Sequence, residues 1–209
     1  MEPFTKKYSK KELESCSLIR LRFATSGIDN PKNNITNENE ACALCKAGRK
    51  IEHLIHIPVN RMGKKRIDIN DRYGFIIIEK ELAQMLKIQG LKGFDLENIV
   101  MGRDKNSYQE LKIKNSLPKM SEKSSVHKYQ ICPKCGRSGH YDNYETETRF
   151  KYDKTRTSNL NSDFFLTWEY FGIWDMGQTS PQLVISNKAY KFLRELKLRH
   201  LIFDPVDLI

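Results

Sequence analysis

The chain has 209 residues, of which 39 % are hydrophobic and 30 % charged, and its formal net charge is +10. That length fits one domain or two small ones, and no apolar run reaches the ~18 residues that a membrane span requires, so no membrane partner is expected. The basic start has no apolar stretch behind it, so no signal peptide is expected and an intracellular, cytoplasmic protein is the default expectation.

The excess of 36 Lys+Arg over 26 Asp+Glu favours acidic partners, nucleic acid included. The lysines are nevertheless spread along the chain. The densest basic run, Arg61-Met62-Gly63-Lys64-Lys65-Arg66, makes Arg61, Lys64, Lys65 and Arg66 candidate partner-binding residues.

Ser17 to Thr25 alternates between apolar and polar residues and predicts a strand. Gly27 to Glu40 is polar and Asn-rich and predicts a loop. Cys42-Ala-Leu-Cys45 follows, the first of two C-x-x-C pairs and the weaker knuckle, since Lys46 rather than glycine comes directly after it. In Ile51-Glu52-His53-Leu54-Ile55-His56-Ile57 the β-branched alternation and Pro58 favour a strand over a helical metal face. His53 and His56 would then point to opposite faces and serve as structural or partner-facing residues.

Phe75 to Ile78 is a short apolar run, Met85 and Leu86 mark a helix stripe, Gly90 suits a helix end, and Phe94 and Leu96 alternate. This reads as strand, helix, strand. Arg103 to Lys128 reads as a linker, with a strand at Tyr108–Ile113.

Cys132-Pro-Lys-Cys135-Gly136 is the second pair, with Pro and Gly suited to a tight turn. His140, just beyond it, is either a substitute ligand or a surface loop residue. Tyr144 to Ser162 is polar, with a strand expected at its start. Asp163 to Trp168 predicts a strand whose inward face is Phe164, Leu166 and Trp168. Tyr170 to Gly177 predicts an aromatic loop, so Tyr170 and Trp174 are candidate partner-binding residues.

The last segment repeats the earlier one. Ile78/Ile185, Met85/Phe192, Leu86/Leu193, Leu91/Leu198, Phe94/Leu201, Leu96/Phe203 and Ile99/Val206 align without a gap at an offset of 107. Ser186-Asn187 can cap the second helix. The expected fold is α+β, with two related strand-helix-strand units and mixed sheets joined by a zinc-ribbon-like double C-x-x-C site. The expected division is 1–102, a linker at 103–128, and 129–209.

The odd number of cysteines, five with Cys16 alone, argues against a secreted disulfide framework. Cys42, Cys45, Cys132 and Cys135 together suit a structural Zn2+ site, because four thiolates complete a tetrahedron and leave no open position. A redox pair, two unrelated thiol pairs and a site without metal are the alternatives. Because the pairs are far apart in sequence, a shared site would be a long-range staple. No P-loop, G-x-S-x-G or H-E-x-x-H is present, and an enzyme is not expected.

The order of these features resembles the bacterial double-CXXCG motif family. The residues that carry the resemblance are the first C-x-x-C, Gly90-Leu91-Lys92-Gly93-Phe94, Cys132-Pro-Lys-Cys-Gly-Arg137, Asp163-Phe-Phe, Leu183-Val-Ile-Ser and Phe203-Asp-Pro-Val206. It spans Cys42 to the end of the chain, and Lys46 stands where the family has glycine. The resemblance implies a non-catalytic immunity protein that binds and neutralises a cognate toxin domain of a bacterial polymorphic toxin system. The positive charge then implies a toxin with an acidic surface, or one that does not act on nucleic acid. A zinc-ribbon nucleic-acid-binding protein is the alternative.

Overall fold

The computed structural model describes residues 7–23, 35–37, 41–48, 50–53, 69–72, 75–99, 108–143, 146–173, 178–198 and 201–209. The first part of the chain contains α1 (Lys10–Glu14), β1 (Leu18–Phe23), β2 (Ile35–Asn37), β3 (Lys50–His53), β4 (Ile69–Arg72), β5 (Phe75–Glu79), α2 (Lys80–Ile88) and β6 (Phe94–Asn98). It continues with β7 (Tyr108–Ile113), β8 (His127–Lys128), β9 (Ser138–Tyr141), β10 (Phe150–Tyr152) and α3 (Lys154–Thr157). The last elements are β11 (Phe164–Ile173), β12 (Gln178–Ser186), α4 (Asn187–Glu195) and β13 (Leu201–Leu208).

Among the described residues the strands form a seven-stranded sheet in the order β10-β13-β1-β12-β11-β9-β8, a four-stranded sheet β4-β5-β7-β6, and the pair β2-β3. The architecture is mixed α+β and mostly strand.

The internal repeat is present in three dimensions. Helices α2 and α4 begin and end at equivalent positions, and so do the starts of β6 and β13. Ser186 caps α4 by accepting from the Ala189 amide at 3.1 Å, whereas Glu79 makes no such bond at α2. Past each helix the chain turns through a left-handed residue, Gly90 at φ 63° and Lys197 at φ 53°. Gly suits that conformation because it has no Cβ to clash.

The two outer strands of each unit do not pair with each other. A third strand lies between them and runs antiparallel to both: β7 between β5 and β6, and β1 between β12 and β13. The registers match. Tyr108 faces Glu79 and Leu111 faces Leu96, while Leu18 faces Ser186 and Leu21 faces Phe203. The hairpins match as well, with Ile69 opposite Ile78 and Phe164 opposite Ile185.

The repeat is therefore longer than strand, helix, strand. It runs strand, C-x-x-C, hairpin, helix, strand, from β1 to β6 and again from β7 to β13. The first strand of each repeat is inserted into the sheet of the other. Strand membership consequently crosses the boundary at residue 102, and the segment 103–128 supplies the inserted strand β7.

One core joins both sheets. Ile69, Ile78, Leu82, Leu86 and Leu111 pack in the same buried cluster as their counterparts Phe164, Ile185, Ala189, Leu193 and Leu21. Each helix is too short to persist alone and is held by this apolar stripe. Burying one such aliphatic side chain contributes roughly 1.5–3 kcal/mol.

The seven-stranded sheet is buried on its second face too, by Leu18, Phe150, Tyr152, Phe165, Phe171, Val184 and Val206. Burial on both faces accounts for the unbroken apolar run Leu183–Ile185, where a half-exposed strand would alternate.

Several expectations are corrected here. Tyr170 to Ile173 is not a loop, because β11 continues to Ile173 after a register shift between Leu166 and Tyr170. Phe164 is fully buried in the first core as expected, but Leu166 and Trp168 are only half-buried, and the opposite side, Phe165, Thr167, Glu169 and Phe171, is covered because the second core layer lies there. The polar stretch before Ser162 hides β10, whose Phe150 and Tyr152 are fully buried. His140 is no surface loop residue. It is buried in β9, with Nδ1 3.0 Å from the Arg137 carbonyl oxygen.

Candidate metal centre

The first knuckle is a turn in which the Cys42 amide donates to the Ala47 carbonyl at 2.9 Å and the Lys46 amide to the Cys42 carbonyl at 2.8 Å. The second repeats it. The Cys132 amide donates to the Ser138 carbonyl at 3.0 Å and the Gly136 amide to the Cys132 carbonyl at 2.9 Å. Gly136 has φ 69° and Lys46 has φ 59°, so lysine takes the left-handed position that glycine holds in the other knuckle. The expected weakness of the first knuckle is thus confined to backbone strain, and its shape is unaltered.

The two turns face each other. All four sulfurs lie within 4.8 Å of one another. Cys42 Sγ is 3.9 Å from Cys132 Sγ, and Cys45 Sγ is 3.4 Å from Cys135 Sγ. A tetrahedral ion with metal–sulfur bonds of ~2.3 Å sets its sulfurs about 3.8 Å apart. A disulfide would need ~2.05 Å, and all four are free thiols. Each close pair joins equivalent cysteines of the two repeats, so the cluster sits where the repeats meet.

The surroundings suit thiolates. The Arg137 amide donates to Cys135 Sγ at 3.4 Å. Hydrogen bonding from the Cys45 amide lowers the Cys42 thiol to about 6. Burial pushes Cys45 up and Cys135 up to about 12. Four sulfurs this close cannot all be ionised unless a cation offsets their repulsion. The Ser138 hydroxyl is fully buried without a hydrogen-bond partner, and it favours ionisation of Cys45. A thiolate there would take up that orphaned donor.

These residues can therefore hold a metal ion. Four sulfur ligands would saturate it and leave no position for substrate or water, so such an ion would organise the fold and take no part in reactions.

Strand β11 supports the second knuckle. The Tyr170 amide donates to the Arg137 carbonyl at 2.7 Å, and Tyr170 packs against the cysteine cluster. The Arg137 guanidinium lies 4.9 Å from the Tyr170 ring centre and 5.5 Å from that of Trp168, and its Nε donates to the Trp168 carbonyl at 3.0 Å. Tyr170 is thus a wall of the cysteine site.

Sequence reasoning missed Ser138 and the Arg137 stack. The only signal was an arginine directly after the Cys-Gly turn. His140 is not in the cluster of ligating groups. His53 closes β3. His56, Arg61, Lys64, Lys65, Arg66 and Trp174 lie outside the described residues. No helix among the described residues is long and apolar enough to cross a membrane. No family model matches the chain, and no curated protein matches it.

Proposed function

We propose that this protein is a non-catalytic, cytoplasmic immunity protein that binds and neutralises a cognate toxin domain of a bacterial polymorphic toxin system, with Zn2+ held structurally by Cys42, Cys45, Cys132 and Cys135. The observation that carries the reading is the meeting of two distant C-x-x-C knuckles in one closed four-sulfur cluster. That double knuckle is the feature on which the resemblance to the double-CXXCG motif family rests. Zinc is the metal of choice for four thiolates in a tetrahedron without redox chemistry.

The function is tested by co-expressing the chain with the C-terminal toxin domain encoded beside it. Growth rescue and a co-purifying complex are expected, and their joint failure refutes the reading. Metal analysis of the purified chain is a separate test, with about one zinc per chain expected and less than about 0.5 counting against the site.

A further inference from the structure

The binding face is a separate question from the metal. The residue turn after α2 abuts the start of α4. Asp163 Oδ2 accepts from the Lys92 amide at 2.8 Å, and Asp163 Oδ1 accepts from the Ser186 hydroxyl at 2.6 Å. Lys188 Nζ donates to the Gly90 carbonyl at 3.0 Å. The C-terminal end of α2 and the N-terminal end of α4 thus form one continuous surface.

The buried stripes of both helices, Leu82, Ala83 and Leu86 with Ala189, Tyr190 and Leu193, are turned to the core. What remains outside is basic. Lys87, Lys92, Lys188, Lys191, Arg194 and Lys197 are exposed, against the two exposed carboxylates Glu81 and Glu195. At the junction Ile88 is 81 % exposed and Met85 40 % exposed. A β-branched aliphatic that far from cover, next to Lys87 in sequence and two residues from the carbonyl that Lys188 reaches, has the composition of an interface anchor with a charged rim.

We propose that the α2–α4 face is the docking surface of this protein and that its occupant is an acidic protein surface. This rests on the reading of the chain as a neutraliser of a partner protein. Charge complementarity selects the sign of the partner and speeds encounter. The apolar junction selects protein over nucleic acid, because a phosphate backbone offers nothing to bury Ile88 and Met85 while a protein surface does. The like charge of the face also opposes its pairing with a second copy.

The test compares three purified full-length variants with the wild type, in titrations against the toxin domain encoded beside the gene. Lys188→Glu/Lys191→Glu/Lys197→Glu reverses charge on α4 and the turn after it, Ile88→Ser removes the apolar contact without changing charge, and Lys123→Glu/Lys154→Glu/Arg156→Glu reverses equal charge elsewhere. Circular dichroism confirms that each is folded.

The α4 variant is expected to weaken binding at least tenfold and Ile88→Ser at least threefold, with the third variant within twofold of wild type. If the wild type binds and all variants bind equally, the face is wrong while the neutralising function stands. If the wild type does not bind the toxin domain, the functional reading fails. A duplex oligonucleotide then decides the face: binding that is lost in the α4 variant but insensitive to Ile88→Ser shows a nucleic-acid surface and overturns the proposal, and so does no binding at all. Wild-type self-association in sedimentation that Ile88→Ser abolishes would make the occupant a second copy and overturn it likewise.

Discussion

Lys46 and Gly136 occupy the same position in two equivalent turns, with φ 59° and 69°. An L-residue in that conformation is disfavoured by ~1–2 kcal/mol. Replacing Lys46 by Gly removes that strain, but glycine's extra freedom in the unfolded chain takes back about 0.4–1 kcal/mol. Lys46→Gly is therefore expected to stabilise the protein by roughly 0.5–1 kcal/mol.

Gly136→Ala should destabilise by a similar amount and no more, because a Cβ there would meet no atom within 4 Å. Gly139 is the contrast. At φ 98° its Cβ would lie 2.6 Å from the Gln130 carbonyl oxygen and 2.7 Å from that of Tyr129, both backbone atoms. Gly139→Ala should cost at least ~2 kcal/mol.

Urea unfolding of the metal-loaded protein, followed by circular dichroism, measures all three. If the first turn forms only with the metal, the same gain should tighten metal affinity roughly threefold in a competing-chelator titration. A destabilising Lys46→Gly, or a Gly136→Ala as costly as Gly139→Ala, would refute the equivalence of the two turns.

Gly93, at φ 99°, has the Phe164 carbonyl 2.9 Å and Ser162 Oγ 1.7 Å from where a Cβ would stand; Gly93→Ala should lower stability by ~2 kcal/mol or more in thermal unfolding, and a loss below about 0.5 would contradict the packing. Burial pushes the Glu110 carboxyl up to about 7. Since its folded pKa lies above its unfolded one, the folded chain binds the extra proton, and the stability this gives is full below pH ~4.5 and lost as pH rises through 7. Glu110→Gln should remove that dependence and gain on the order of 2–3 kcal/mol at pH 8, and an unchanged stability–pH profile would rule this out.

Asp204 accepts from Arg22 Nε at 2.5 Å and lies 3.9 Å from the buried Arg20 guanidinium. Asp204→Ala should cost ~2–3 kcal/mol by leaving the Arg22 guanidinium without its carboxylate, while Arg20 keeps Asp142 at 2.7 Å, as read by urea unfolding; a loss under 1 kcal/mol would show the network relaxes. Cys132→Ser should abolish stoichiometric metal in elemental analysis, and full retention would show that the cluster is not the site.

The repeat was legible because its unit has no gap: the helices start and stop at the positions that Met85/Phe192 and Leu86/Leu193 imply. The four cysteines were legible because C-x-x-C spacing is local chemistry. The exchange of β1 and β7 was not. Leu18–Phe23 alternates as any half-buried strand does, and nothing in that pattern says which sheet receives it. β10 was missed because three residues, directly after the charged stretch Glu147–Arg149, are too few to show a period. His140 was misjudged because its burial depends on β11 lying beside β9, a contact made far along the chain. Lys46 made the first knuckle read as the weaker one, because the rule for left-handed positions asks for glycine.

The exchanged strands have a consequence for synthesis. β1 leaves the ribosome well before both of its neighbours, β12 and β13. Until those strands have been made, Leu18, Ile19 and Leu21 have no native place to be buried. Folding of this sheet must wait for them, with the slow closure that distant pairing brings. A premature stop before Leu201 would therefore strand the N-terminus as well as remove the C-terminus. Moving residues 7–23 behind Ile209 in a circular permutant would shorten the wait.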